Sequence, residues 1–526
     1  MSRAARTART PGKWAILFTV LIMTFMATLD SSIVNVALPV MQKALDAGLD
    51  QIQWVSSVYL LAMCAFLMVF GRLGDLYGKV RFFEVGVIIF SLGSLLCGIS
   101  TTLPALVASR IVQGIGGASA MANNMGIITE AFPARERGRA LGLLASFVAL
   151  GMMCGPVLGG FIVSYLPWEY IFLINVPVGI ASVVLGRFTL PKDSVREGGS
   201  MDVLGAVLIV PGLLLSFLGL TALQGARSWL PLAALALGIA LLVLFTRHER
   251  RVDEPLVELA IFRDRRFVVN LVCLFISFVA IGVYELMTPF YLQDARGFDP
   301  GLAGLIFCII PLANAIAGPI SGAVSDRIGC ELPCMIGLGT FSVGLYLTGT
   351  LDMGSGIPQI LFFLGLASFG TSIFQSPNNS LVMGSVPTEL LGFAGSASAL
   401  ARYLGMAIGI SGSTSILYGG MSAAAGRTVT AYVEGRPDIF LAGYQLVYIV
   451  TAALVAVGFC LTVHRAWTGA GRAGRRRSAS RGARAPMSGC RSRRSGCLRC
   501  RRARRSAVRP TPHIFNTGVC ETGTLT

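Results

Sequence analysis

The sequence predicts an all-α integral membrane protein of fourteen transmembrane helices, built as two six-helix halves with two further helices inserted at the centre. Three observations predict it. The 526 residues are 54% hydrophobic and only 13% charged, which soluble globular chains do not show. Long apolar runs recur along most of the chain, and a charged loop after the second run is echoed after the tenth.

A hydrocarbon core about 30 Å thick needs roughly 20 apolar residues per helix. Windows of that length fall at 14–38, 52–71, 82–99, 104–128, 140–164, 169–188, 203–222, 229–246, 268–291, 302–324, 333–350, 357–381, 391–415 and 443–463. A transmembrane β-barrel would show short alternating segments instead. The first run follows a basic start but is too long for a secretory signal, contains Asp30 and has no cleavage site, so it reads as the first span.

With the N-terminus inside, the cytoplasmic segments before the tail hold 20 lysines and arginines and the outer segments 5. This bias predicts that both termini are cytoplasmic. The tail after Trp467 is rich in arginine and nearly free of acid, as expected for a disordered segment near an anionic membrane surface rather than a nucleic-acid binder. Its Cys490, Cys497, Cys500 and Cys520, with His513, fit no paired zinc-ligand spacing. Cys64, Cys97, Cys154, Cys273 and Cys308 lie in apolar runs and read as small packing residues.

The echo is specific: Gly71, Asp75 and Gly78 recur as Gly322, Asp326 and Gly329 at a constant offset of 251. It predicts an internal repeat. The chain then divides into a cytoplasmic N-terminus (1–13), a first six-helix half (14–199), inserted helices 7 and 8 (200–247), a cytoplasmic linker (248–267), a second half (268–465) and the basic tail (466–526). Two parallel halves around a central cavity suit a transporter that alternates its access by rocking. Gly71, Asp75, Gly78, Lys79 and Arg81, with Asp326 and Arg327, are expected to form a gating loop whose charges pair across the cytoplasmic mouth.

At five places the spelling resembles the major facilitator superfamily, in its fourteen-helix drug:proton antiporter branch. GRLGDLYGKVR resembles the loop 2–3 signature, and ASRIVQGIGG the helix 4 motif with Arg110, Gln113 and Gly114 in place. GMMCGPVLGG resembles the helix 5 antiporter motif at Gly151, Gly155, Pro156, Gly159 and Gly160. LDSSIVNVALP and WEYIFLINVPVG are similar to helix 1 and helix 6 signatures. The resemblance covers roughly residues 10–465 and implies exchange rather than uptake. From the residues alone, glycines four apart permit close helix approach and Pro156 bends the helix among them.

Four ionisable residues stand out within the spans: Asp30, Arg110, Glu285 and Arg402. At ~1.5 Å per residue the first three lie roughly 9–12 Å from the outer helix ends and can share one level, while Arg402 lies nearer the middle of its span. Burial disfavours a charged carboxylate and a neighbouring arginine favours it, so movement of the arginine can switch proton occupancy. Asp30 or Glu285 is therefore expected to carry the proton and Arg110 to tune it. A purely structural Asp30–Arg110 pair is the simpler reading and stays open. Asn35, Gln113, Asn123, Asn124, Tyr284, Gln375, Asn378 and Asn379 are expected as a group to supply the substrate cavity, although each taken alone reads as an interhelical hydrogen-bonding residue before a ligand. Glu285, beside Tyr284 and Met287, would suit a lipophilic cation.

The expected function is proton-motive-force-driven export of an amphipathic drug, antibiotic or secondary metabolite. The alternatives are an uptake symporter, a channel, or the membrane part of an ATP-driven pump; no G-x-x-x-x-G-K-[ST] loop occurs. No hydrolytic or redox constellation is present and the three histidines, His248, His464 and His513, fall outside the predicted spans, so neither catalysis nor a metal is expected. The expected partners are the lipid bilayer and a small amphipathic substrate, with no nucleic acid, no cofactor beyond the proton and a monomeric chain. The expected location is a bacterial plasma membrane.

Overall fold

The computed structural model describes residues 12–193, 201–222, 229–252, 259–387, 390–427, 429 and 436–482. Arg3, Arg6, Arg9, Arg196, Arg227 and the tail cysteines with His513 lie outside them. Among the described residues the chain is helical, with no strand.

The helices are α1 (Lys13–Ala44), α2 (Leu49–Tyr77), α3 (Lys79–Gly98), α4 (Leu103–Ala131), α5 (Ala134–Tyr165), α6 (Tyr170–Thr189) and α7 (Val203–Ala222). They continue with α8 (Leu230–Glu249), α9 (Arg265–Phe290), α10 (Pro300–Ile328), α11 (Glu331–Gly349), α12 (Ile357–Met383), α13 (Leu391–Ala425) and α14 (Pro437–Gly482). Thirteen of the helices are long and apolar enough to cross a membrane. The fourteenth, α4, forms where a span is expected and is 29 residues long, but it is not in the apolar set. Arg110, Gln113, Asn123 and Asn124 make it polar, and all four are buried against protein. Residues through Thr468 form one compact unit and Gly469–Thr526 a second, of which 469–482 are helical.

The two sets of six helices repeat one packing plan. In the first, α1 packs on α5, α2 on α4 and α3 on α4; in the second, α9 packs on α13, α10 on α12 and α11 on α12. The sets meet through α2 with α13, α5 with α10 and α1 with α9, so each seam joins equivalent partners with their order exchanged. The inserted α7 and α8 pack on each other, and α7 also leans on α2 and α13.

The glycines of the echoed loop have a backbone reason. Gly78 (φ +115°) ends α2 and Gly329 (φ +88°) ends α10, both in the left-handed region where an L side chain is strained. The charges behave differently from the expectation of a latch across the mouth. Lys79 Nζ bonds Glu130 at 2.6 Å and Asp75 at 3.1 Å, both within the first half, while Arg81, Asp326 and Arg327 are exposed. The loop is held by Asp193, whose carboxylate accepts from the backbone N–H of Val80 and Arg81 at 2.8 Å each. Here the short path from α2 to α3 leaves helix-start N–H groups pointing at one acid.

The loops joining α2–α3, α4–α5 and α10–α11 define a basic end of the bundle; polar contacts between the halves gather toward the opposite, far end. Lys43 pairs with Asp294 at 2.8 Å, and Gln293 donates to the Val36 carbonyl at 2.8 Å. Thr414 donates to Gln53 at 2.7 Å, and Gly301 N–H to Ser164 at 3.0 Å. Asp294 and Gln293 sit in a π-helical turn, Tyr291–Ala295, that follows Pro289 at the end of α9.

The small-residue face of α5 is used on two sides. A Cβ at Gly155 or Gly159 would lie 2.9 Å from the Ile33 N or O of α1, and one at Gly160 would lie 2.5 Å from the Pro300 carbonyl of α10. Pro156 in turn abuts Gly304 of α10. Gly155→Val and Gly159→Val are therefore expected to cost about 1–3 kcal/mol each by overpacking. Gly142→Val, on the same helix with nothing within 4 Å, is expected to cost far less. Thermal midpoints of the three purified variants in detergent measure the difference.

Candidate functional site

The polar centre of the first half is assembled by α4. Gly114 faces the Tyr59 carbonyl and Ala62 of α2, and Gly116 faces Gly86 and Phe90 of α3, so α4 lies close against both neighbours. That approach brings Arg110 into a closed ring of partners. Its Nη1 donates to Asp30 at 2.6 Å and to Gln113 Oε1 at 2.5 Å, and its Nε donates to the Val55 carbonyl at 2.9 Å. The guanidinium lies over the Tyr59 ring at 4.2 Å, with Phe172 at 5.5 Å.

Asp30 receives two further donors, Gln113 Nε2 at 2.8 Å and Asn175 Nδ2 at 2.7 Å. Gln113 Nε2 also donates to Ser94 at 2.7 Å. Asp30 and Gln113 are 0% exposed and Arg110 and Asn175 1%, so a buried ion pair is held by a nearly complete set of hydrogen bonds.

Glu285 reaches the same level from the other half. Asn35 Nδ2 donates to it at 3.3 Å, and Ser56 donates to Asn35 Oδ1 at 3.3 Å. A small cavity lies between the halves, lined by Ser31, Asn35, Ser56, Tyr59, Arg110, Glu285, Met406 and Ile410 among others. Its volume of about 10 Å³ has room for roughly one water. One carboxylate, Asp30, is tightly held by the guanidinium, and a second, Glu285, is loosely held on the wall of the cavity that Arg110 also lines. Asp30 has three donors; Glu285 has one long one.

The other expected cavity residues are distributed differently. Gln113 sits behind Arg110 in the Asp30 network, not on the cavity. Asn124 is buried with Thr24 at 3.4 Å, Asn378 donates to the Asn270 carbonyl at 3.3 Å, and Tyr284 packs edge-on against Phe341. Asn123 donates to the Ser119 carbonyl at 2.8 Å, and Gln375 and Asn379 are half-buried. Arg402 stands apart from Asp30, Arg110 and Glu285, half-buried over Phe278 at 5.8 Å. The sequence reading missed Ser94, Asn175, Ser56 and Tyr59. Asn175 and Ser56, each a polar side chain set in a predicted span, were the available signal.

Residues 20–410, most of the helical unit, match the family model of the Major Facilitator Superfamily. The chain belongs to the major facilitator superfamily. Among similar proteins, the Riboflavin transporter RibZ of Clostridioides difficile is 32% identical over 86% of this chain and 97% of its own. The Tetracenomycin C resistance and export protein of Streptomyces glaucescens is 32% identical over 75% of this chain and 74% of its own. A crystal structure of a bacterial homologue of the human lysosomal transporter Spinster, inward-facing and unoccupied, shares the fold at a TM-score of 0.61. It covers 87% of this chain and 97% of that chain at 14% identity.

This major facilitator protein is thus a multi-pass membrane transporter, and its similar proteins are transporters rather than enzymes. Its polar centre lies where the two halves meet, the place at which transporters of this architecture bind substrate and ions. Because Asp30 and Arg110 are buried together, Asp30→Asn alone is expected to destabilise the protein by about 3–5 kcal/mol through an unpaired guanidinium. Adding Arg110→Gln is expected to recover part of that loss, read as the thermal midpoint in detergent.

Proposed function

We propose that the protein is a proton-driven exporter, a drug:proton antiporter that moves an amphipathic drug, antibiotic or secondary metabolite outward across a bacterial plasma membrane. The observation that carries the reading is the shared cavity: Arg110, paired with Asp30 of its own half, and Glu285 of the other half line the same space. A proton on Glu285 removes its pull on Arg110, which then stays with Asp30. Loss of that proton draws the guanidinium across the cavity and biases how the halves sit together. Charge at one carboxylate is converted in this way into a preference between two arrangements. A proton on Asp30 has to compete with the guanidinium at Oδ2 or with the two amides at Oδ1, whereas on Glu285 it competes with one long amide donor, so Glu285 is the proton carrier and Asp30–Arg110 the element that senses it.

On this reading the basic end is cytoplasmic, the halves are residues 14–199 and 268–465, and the contacts at the far end close the outer side. The protein then receives its substrate from inside. The word "export" in a similar protein's name favours the same direction. A second reading, carriage of a vitamin-like nutrient, is favoured by the likeness to a riboflavin transporter.

Inverted vesicles with an imposed inside-acid gradient separate the two. Accumulation of a lipophilic drug that collapses with a protonophore is expected, together with its loss in Glu285→Gln while substrate exchange without a gradient persists. Accumulation that survives the protonophore, or that Glu285→Gln leaves intact, overturns the proposed coupling.

A further inference from the structure

Of the four ionisable residues that stand out within the predicted spans, Arg402 is the one the coupling scheme does not use. It lies on α13 four residues, about 6 Å, toward the basic end from Met406, and Met406 and Ile410 on the same helix line the cavity. Its guanidinium lies over the ring of Phe278. Phe278 is seven residues, about 10 Å along α9, from Glu285 of the same cavity. Gly282 meets the Met406 backbone, so α9 and α13 form one continuous wall here.

No acid among the described residues pairs with Arg402, and its Nε is buried without a hydrogen-bond partner. This differs from Arg110, where both donating nitrogens described above have acceptors. An arginine does not give up its proton, so Arg402 is a fixed cation and not a relay. A fixed cation at membrane depth calls for a counter-charge. A guanidinium backed by an aromatic ring also favours a planar, delocalised anion, which can stack as well as accept hydrogen bonds.

We propose that Arg402 is a specificity-determining residue that binds the acidic group of an anionic, planar aromatic substrate, whose rings extend along α9 toward Glu285. The proposal rests on the transporter reading in taking the space between the halves, closed to about 10 Å³ in this arrangement, to widen toward Arg402 into the binding site when access alternates; it does not depend on coupling or direction.

The test uses the purified full chain in detergent and two dyes on one xanthene frame, fluorescein as the anion and rhodamine 123 as the cation, followed by fluorescence anisotropy. Fluorescein is expected to bind saturably. Arg402→Gln is expected to weaken it about tenfold or more, the scale of a hydrogen bond to a charged group. Rhodamine 123 binding should change less than twofold, and Arg402→Lys, which keeps the charge without the planar fork, should retain only part of the fluorescein affinity. Equal loss of both dyes in Arg402→Gln, an unchanged fluorescein affinity, or no saturable fluorescein binding by the unaltered protein overturns the proposal. Failure of proton-driven export would show in the vesicle assay and leave this measurement unaffected.

Discussion

A carboxylate with no solvent exposure has to be neutralised by protein. Much of the first half is organised around doing this for Asp30. Arg110 supplies the charge, Gln113 and Asn175 the remaining donors, and Ser94 and the Val55 carbonyl hold those groups in turn. Five helices, α1, α2, α3, α4 and α6, contribute to one knot. Such a knot forms only if the helices approach closely, which explains why α4 carries glycines immediately after its arginine. The tyrosine ring over the guanidinium fills the remaining side.

The second half uses the same framework for different chemistry. The left-handed glycines Gly78 and Gly329 and the matched helix pairings show that backbone and packing repeat. At the offset of 251 that relates the loops, Asp30 and Arg110 correspond to Ile281 and Leu361, so the charge pair does not repeat. Glu285 lies on the cavity wall and is loosely held, and Arg402 lies one helical turn from that wall along α13 with its Nε unbonded. One half therefore holds a satisfied pair and the other presents less satisfied charges to the space between them. Strong internal satisfaction makes a rigid reference, and weak satisfaction leaves groups available to protons and solutes.

Much of this was legible in the sequence because lipid imposes a simple rule: spans are long and apolar, and a charge inside one is conspicuous. Asp30, Arg110 and Glu285 stood out for that reason, and their level along the helices followed from a constant rise per residue. Helix rotation was not legible. Gln113 is polar whichever way α4 turns, and only the packing of α4 on α2 and α3 directs it at Asp30 instead of the cavity. Asp193 was invisible as a partner of the α2–α3 loop because 112 residues separate it from Arg81. The polar content of α4, which keeps it out of the apolar set, has the same origin: its polar side chains face protein, and composition does not record direction.

The inserted pair of helices breaks the likeness between the two seams. The α2–α13 seam is flanked by α7, and Ile209, Leu213 and Phe245 of the inserted pair join Cys64, Met68, Leu400 and Leu404 in one apolar cluster. The α5–α10 seam has no such companion among the described helix contacts. One flank of the molecule thus carries a layer of protein that the other lacks among the described helix contacts. For a solute dissolved in a bilayer the two seams are not equivalent: the one along α2 and α13 is screened by the inserted pair.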